Sequence, residues 1–188
     1  VDYLVIGHIA VDITPTGKQL GGSVSYAALT ARALGMRVGI VTSAGNDAPM
    51  QVLNGMQVVV IPSELSTTFE NVKTEHGRKQ TLHHRATPIS FEQVPASKIK
   101  IEHIPSVWRD APIIHFAPIA QEFDASLVNF FPKSLVGVTP QGWMRAWNEN
   151  GEVQASAWEN SEQVLGQAGS VVMSVEDVNR NLELVELM

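Results

Sequence analysis

The sequence contains no cysteine. That excludes disulfide scaffolds, thiolate metal sites and cysteine nucleophiles, and it accords with a reducing compartment, for which we expect the cytoplasm. Basic charge is scarce: Lys and Arg total 13 against 19 Asp and Glu, a formal net charge of −6, and the basic residues form no cluster. Nucleic-acid grips and membrane-surface patches both need concentrated positive charge, so neither partner is expected. Every apolar run falls short of the roughly 20 residues of a membrane span. The opening Val1-Asp2-Tyr3-Leu4-Val5-Ile6 has no basic region or cleavage site, so no signal peptide is expected. No Gly-x-Gly-x-x-Gly follows the first strand, and there is no Walker A motif and no Gly-x-Ser-x-Gly elbow. The six histidines are scattered, and the adjacent His83 and His84 would point to opposite faces of a strand, so no protein-only metal site is expected.

What is present is ordinary material for a folded domain: 188 residues, 44% hydrophobic and 17% charged. Leu4-Val5-Ile6, stopped by Gly7, reads as a buried parallel strand. Residues 8–20 read as a polar loop holding Asp12. Gly21-Gly22-Ser23 opens a small-residue helix with Ser23 as N-cap and Gly35 as terminator, and a strand follows at Val38–Thr42. Strand, helix, strand with a crossover implies a right-handed βαβ unit. The middle changes character. Gln57–Ile61, Thr67–Thr74 and Lys79–Arg85 read as extended, with a hairpin turn at Glu75-His76-Gly77-Arg78 and too few large apolar residues for a core. They read as a small sheet hanging off the body as a lid. The α/β rhythm resumes with strands at Pro112–Phe116, Leu135–Val138 and Val171–Met173, and helices at Gln121–Phe130, Ser161–Ala168 and Val175–Met188. The expected class is α/β, divided into the start of the body at 1–56, a β-rich lid insertion at 57–90 with part of its flanking strands, and the rest of the body at 91–188.

Ligands of open α/β sheets sit beyond the carboxyl ends of the strands. Asp12 lies there, and two consecutive glycines at a helix start let backbone N–H groups approach a ligand. A carboxylate accepting from hydroxyls, opposite amides donating to hydroxyl oxygens, suits a polyol; the plain alternative is a tight turn beside a surface acid. Gln141 and Arg145, after the Leu135–Val138 strand, are further candidates against a structural hydrogen bond and ion pair. His115 reads as a core histidine or, being near its strand's end, as a site residue, and His84 and Arg85 of the lid as solvated charge or ligand contacts.

Gly7, Asp12, Gly21-Gly22-Ser23, Ala27-Ala28, Leu34-Gly35 and Gly45-Asn46-Asp47 together resemble the N-terminal signature of the PfkB/ribokinase family of small-molecule kinases. Ser66–Asn71, Gly77–Gln80, His84-Arg85-Ala86 and Pro140–Arg145 resemble an inositol- or sugar-kinase-like branch. The resemblance implies a ribokinase-like three-layer fold with helices on both faces of the sheet and a small inserted β lid. It implies an ATP-dependent kinase that phosphorylates a hydroxyl of a sugar, polyol or related small molecule, using Mg²⁺. Asp12, Gly21 and Gly22 would hold substrate hydroxyls, Tyr26, His84 and Gln141 would border them, and the lid strands would clasp a homodimer. Two departures stand out. Many members carry Asn where this chain has Tyr26, and the family's Asn-x-x-Glu phosphate and magnesium motif falls on Ser174-Val175-Glu176-Asp177, leaving Ser174 and Asp177 at its key positions. The Gly-Ala-Gly-Asp segment that supplies the family's anion hole and the Asp that activates the acceptor hydroxyl is absent, so no catalytic residue is assigned in these 188 residues, and the chain is expected to be an N-terminal portion lacking the C-terminal part of the fold. The competing expectations are a non-catalytic small-molecule-binding or assembly domain of the same fold and, less directly, another α/β enzyme of nucleotides or sugars.

Overall fold

The computed structural model describes residues 1–75, 77–87 and 98–178. In chain order the elements are β1 (Tyr3–Ile6), β2 (Ala10–Thr14), β3 (Gly17–Gly21), α1 (Ser23–Ala33), β4 (Val38–Ala44), β5 (Gln57–Pro62), β6 (Thr67–Thr74) and β7 (Gly77–His84). Then come β8 (Ile113–Phe116), β9 (Leu135–Val138), β10 (Arg145–Trp147), β11 (Val153–Ala155), α2 (Ser161–Leu165) and β12 (Ser170–Val171). The body is a parallel sheet of order β12-β9-β8-β1-β4-β5. Its strands are short apolar runs because both faces are covered. Period-two alternation divides them: Leu4 and Ile6 enter one core with Ile114, Phe116 and Phe131, while Val5 and Ile40 enter another with Val24, Ala28 and Ala31 of α1. On the first face the covering comes from 3₁₀ turns and the short α2, and Gln121–Phe130, expected as a helix, is helical only as a 3₁₀ segment at Ala125–Phe130. No described helix is long and apolar enough to cross a membrane.

The second sheet has the order β3-β2-β6-β7. Two expectations about it need correction. Residues 8–20 are not a loop: they contain the hairpin β2–β3, whose strands pair antiparallel from Ala10↔Gly21 to Thr14↔Gly17. The lid is also not a single insertion at 57–90, because β5 pairs parallel with β4 inside the body while β2 and β3 belong to the lid. The physical reason is composition. Asp12, Lys18 and Gln19 made the hairpin look soluble and turn-like, yet they sit on paired strands where Lys18 and Gln19 are exposed and Asp12 is half-buried. The helix expected at Val175–Met188 lies outside the described residues from 179 onward.

A buried polar junction ties lid to body. Glu122, fully buried, accepts from the backbone N–H groups of His8, Ile119 and Ala120, at 2.7–3.0 Å. The ring Nδ1 of His8 pairs with the Thr67 hydroxyl at 2.8 Å, and that hydroxyl also accepts from the Ala86 N–H. Where β6 begins, Ser66 donates to the Asp47 carboxylate through both its N–H and its hydroxyl. The crossings between the two sheets at residues 8, 67 and 86 are therefore fixed by buried hydrogen bonds, costly to leave unmade, and that at Ser66 by part-buried ones.

Candidate functional site

Between the lid and the carboxyl ends of β1, β8 and β9 lies a cleft of about 460 Å³. This volume suits a small ligand. Asp12 on β2, Gly22 and Tyr26 at the start of α1, and Gln141 just beyond β9 all line it. The structure therefore brings Gln141 from far along the chain to Asp12, Gly22 and Tyr26 near its start.

The two glycines serve different purposes. Gly21 is buried, and a Cβ there would overlap the Asp12 carboxylate. Its missing side chain is what lets the acid lie against the helix start. Gly22 has φ +87°, and a Cβ would press on the Ala10 nitrogen and the His8 oxygen, each 3.0 Å away. Gly22, not Ser23, occupies the N-cap position, and no side chain caps the helix. In the first turn of α1 the Ser25 N–H donates to the Gly22 carbonyl at 3.1 Å, and no side chain caps the N–H groups before it at the edge of the cleft.

Asp12 is one end of a polar chain. The Asn71 amide donates to its Oδ1 at 3.4 Å, and the Asn71 oxygen accepts from Arg78 Nε and Gln80 Nε2, both at 2.8 Å. Asn71 and Gln80 sit directly opposite in the β6–β7 register, which explains the contact. Burial pushes the Asp12 carboxyl above its usual range, against the pull of the Arg78 and Arg145 charges. Arg145 of β10 lies over the Phe69 ring at 5.6 Å, and burial lowers its guanidinium to about 10. A cation–π contact returns about 0.5–2 kcal/mol, whereas taking an ion from water costs several.

Sequence reasoning gave no role to Asn71, Lys73, Arg78 and Gln80, which also line the cleft. Their signal was available: Phe69, Asn71 and Lys73 alternate along one strand, and Arg78 and Gln80 along its hairpin partner, so each set shares a face.

Other candidates fall elsewhere. His84 opens into a separate cleft with Trp147 and Asn148, because the β6–β7 register slips between Thr68 and Phe69 and the far end of β7 loses phase with Gln80. Arg85 of the lid donates to the Gln121 carbonyl at 2.7 Å. His115 is held by the Tyr3 hydroxyl and Thr139, and burial drops its pKa to about 4, so it is a core histidine. Ser174 and Asp177 cap each other: the Asp177 Oδ2 accepts from the Ser174 N–H and hydroxyl, and its Oδ1 accepts from Gln141 Nε2 at 2.9 Å. Both oxygens of Asp177 are thus engaged. No group of three or more His, Asp or Glu side chains among the described residues could hold a metal ion.

No family model matches the chain. A cytidine kinase from Thermococcus kodakarensis is 31% identical over 136 residues, which is 69% of this chain and 48% of the kinase. A pyrophosphate-dependent kinase of the ribokinase family, solved with a pyrophosphate analog and myo-inositol, superposes with a TM-score of 0.70 over 94% of this chain and 62% of its own, at 20% identity. A fructokinase from Vibrio cholerae superposes with a TM-score of 0.58 over 98% of this chain and 71% of its own, at 16% identity. The chain therefore spans about half the length of the curated relative and about three-fifths of the inositol-bound structure.

Proposed function

We propose that this chain, which has the fold of the ribokinase (PfkB) family, forms the acceptor-binding side of a kinase for a small polyhydroxylated molecule. The observation that carries the reading is the convergence of the Asp12 carboxylate, the Gly22 N-terminus of α1 and the Asn71–Gln80 amides on one cleft under a lid. A carboxylate accepts from one hydroxyl while the amides donate to others, which orients a polyol without covalent chemistry. In this reading the lid closes the cleft against water. Tyr26, 61% exposed at the mouth, offers a ring face to a cyclic acceptor.

Transfer of a phosphoryl group from ATP to the acceptor is the activity proposed for an enzyme of the relatives' full length. Similar structures include a sugar kinase from Pyrococcus horikoshii in complex with ATP and the pyrophosphate-dependent kinase, so ATP and pyrophosphate are both donors to test. Mg²⁺ would neutralise donor phosphates. The described residues form no cluster to hold it, and Asp177 is already occupied, so no ligand of this chain is assigned to it. The reading also includes self-association through the lid, where β3 is an edge strand of its sheet, and a cytoplasmic setting.

Calorimetry and thermal shift against sugars, inositols and nucleosides test the proposal. Asp12→Asn should weaken acceptor binding by about 10- to 100-fold, the worth of a charge-assisted hydrogen bond, and leave nucleotide binding nearly untouched. Unchanged acceptor affinity refutes the assignment. The 188-residue chain alone should transfer no phosphoryl group, and turnover by it would relocate the catalytic machinery.

A further inference from the structure

A neutral polyol does not account for the charge of this cleft. Lys73, Arg78 and Arg145 line it, against the single carboxylate of Asp12. None of the three cations forms a salt bridge among the described residues, where the pairs are Arg37–Asp2, Lys79–Glu152, His83–Glu70 and Lys98–Asp124. Arg78 uses only its Nε, on Asn71. Arg145 has the Phe69 ring for a close partner and no hydrogen-bonded carboxylate. The nearest acids act on it only through space: Asp177, Glu122 and Asp12 attract its charge, but Asp177 is held by Ser174 and Gln141, Glu122 by three backbone N–H groups and Asp12 by Asn71, and none of them hydrogen-bonds the guanidinium. A desolvated guanidinium that faces a ligand cleft without a hydrogen-bonded carboxylate is completed by an oxyanion that arrives with the ligand.

Resting on the acceptor-cleft reading, we propose that the acceptor is an anionic polyol, a small polyhydroxylated molecule with a carboxylate or phosphate substituent that Arg145 and Arg78 hold while Asp12 accepts from a hydroxyl. Lys73, exposed on β6, adds long-range attraction. The arrangement sorts ligands by charge: a neutral polyol leaves the buried guanidinium unpaired, and a polyanion without hydroxyls leaves Asp12 facing charge of its own sign.

Titration calorimetry of the chain with matched pairs reads this directly: gluconate against glucitol, glucose 6-phosphate against glucose, and inositol 1-phosphate against myo-inositol. In at least one pair the anionic member should bind about tenfold tighter or better at low salt. That ratio should fall towards one in Arg145→Gln, fall partially in Lys73→Ala, and shrink as salt is raised. The Lys73 variant sits on an exposed strand position and keeps the test open if Arg145→Gln fails to fold. Inorganic phosphate and pyrophosphate are the control arm. If they bind as tightly as the anionic polyols and equally depend on Arg145, the guanidinium serves the phosphoryl donor and the proposal is overturned. If neutral polyols bind through Asp12 with no charge preference in any pair, this inference fails and the acceptor reading stands. If nothing in the series binds, both fall.

Discussion

The two sheets of this molecule are built on opposite terms. In the body, β1 places Leu4, Val5 and Ile6 wholly out of water, and all seven residues of β4 are buried. In the lid, Gly17–Gln19 of β3 and Val72–Thr74 of β6 are exposed, and among the described residues the cluster beneath the sheet has Ala10, Phe69, Leu82, Ile119 and Ala120 as its buried members. The body is held by the hydrophobic effect acting on both faces of a sheet. The lid is held by ladder hydrogen bonds and by the polar junction around Glu122 and His8. Regions with few buried apolar contacts open at lower free energy, and binding elements that must move are drawn from them. The division teaches that stability rests mainly in one sheet while Asp12, Lys73 and Arg78 of the cleft come from the other, and that the junction between them is where one can be made to act on the other.

The sharpest break comes from the body. Phe116 is fully buried and contacts Phe123 and Phe131 with ring centroids 5.6 Å apart. Phe116→Ala should cost about 3–5 kcal/mol, read as a large drop in the denaturation midpoint. If the loss is under about 1 kcal/mol, the body is not the stabilising half and the comparison fails.

Acid is the next largest lever, and it acts on both regions. Burial lowers His8, at the junction, and His115, in the body, to about 4 each. Between pH 6.5 and 4 the unfolded chain binds these protons and the folded chain does not. Stability therefore rises with pH across that window and is lost on acidification, by on the order of a few kcal/mol when both histidines count. Thermal melts from pH 7 to 4 should show the decline, and His115→Gln and His8→Gln should each flatten it. A melting temperature that holds level to pH 4.5 would show that these rings are not dry. Asp47 adds its own slope lower down: burial raises its carboxyl, but the two hydrogen bonds from Ser66 outweigh this and hold it below the usual range, so its contribution persists until pH falls further.

The body was legible in the sequence because its signal is local. Leu4–Ile6, Val38–Thr42 and Leu135–Val138 are apolar runs between breakers, and a run buried on both faces has no other reading at that length. The lid was half legible. Thr67–Thr74 was plain from its β-branched alternation, but the hairpin of Ala10–Gly21 was not, because an edge strand with solvent on one side carries the composition of a loop. The site followed the same line. Asp12 and Gly22 were marked by their place after the first strand and at a helix start. Arg145 was marked, with Gln141, by its place after the Leu135–Val138 strand, whereas Asn71 became a site residue only through the β6–β7 register, a fact of pairing that no window of sequence contains. His84 failed for the same reason, since a one-residue slip reverses a side chain's face.

The smallest expected change in stability is also the cleanest separation of the two regions. Gly21 has no positive φ, so its backbone accepts alanine, and the three atoms nearest the added methyl all belong to the Asp12 carboxylate. That carboxylate can turn away about its own side-chain bonds at a cost to the fold of about 1 kcal/mol. Gly21→Ala should therefore leave the denaturation midpoint within a few degrees of the parent. Polyol binding should nevertheless fall as far as in Asp12→Asn, because the acid no longer lies against the Gly22 end of α1. A variant that keeps its fold and its ligand would show that Asp12 reaches the cleft from a second position. One that loses both would show that this contact belongs to the stability of the sheet, and the boundary drawn between the two regions would have to move inward past β2.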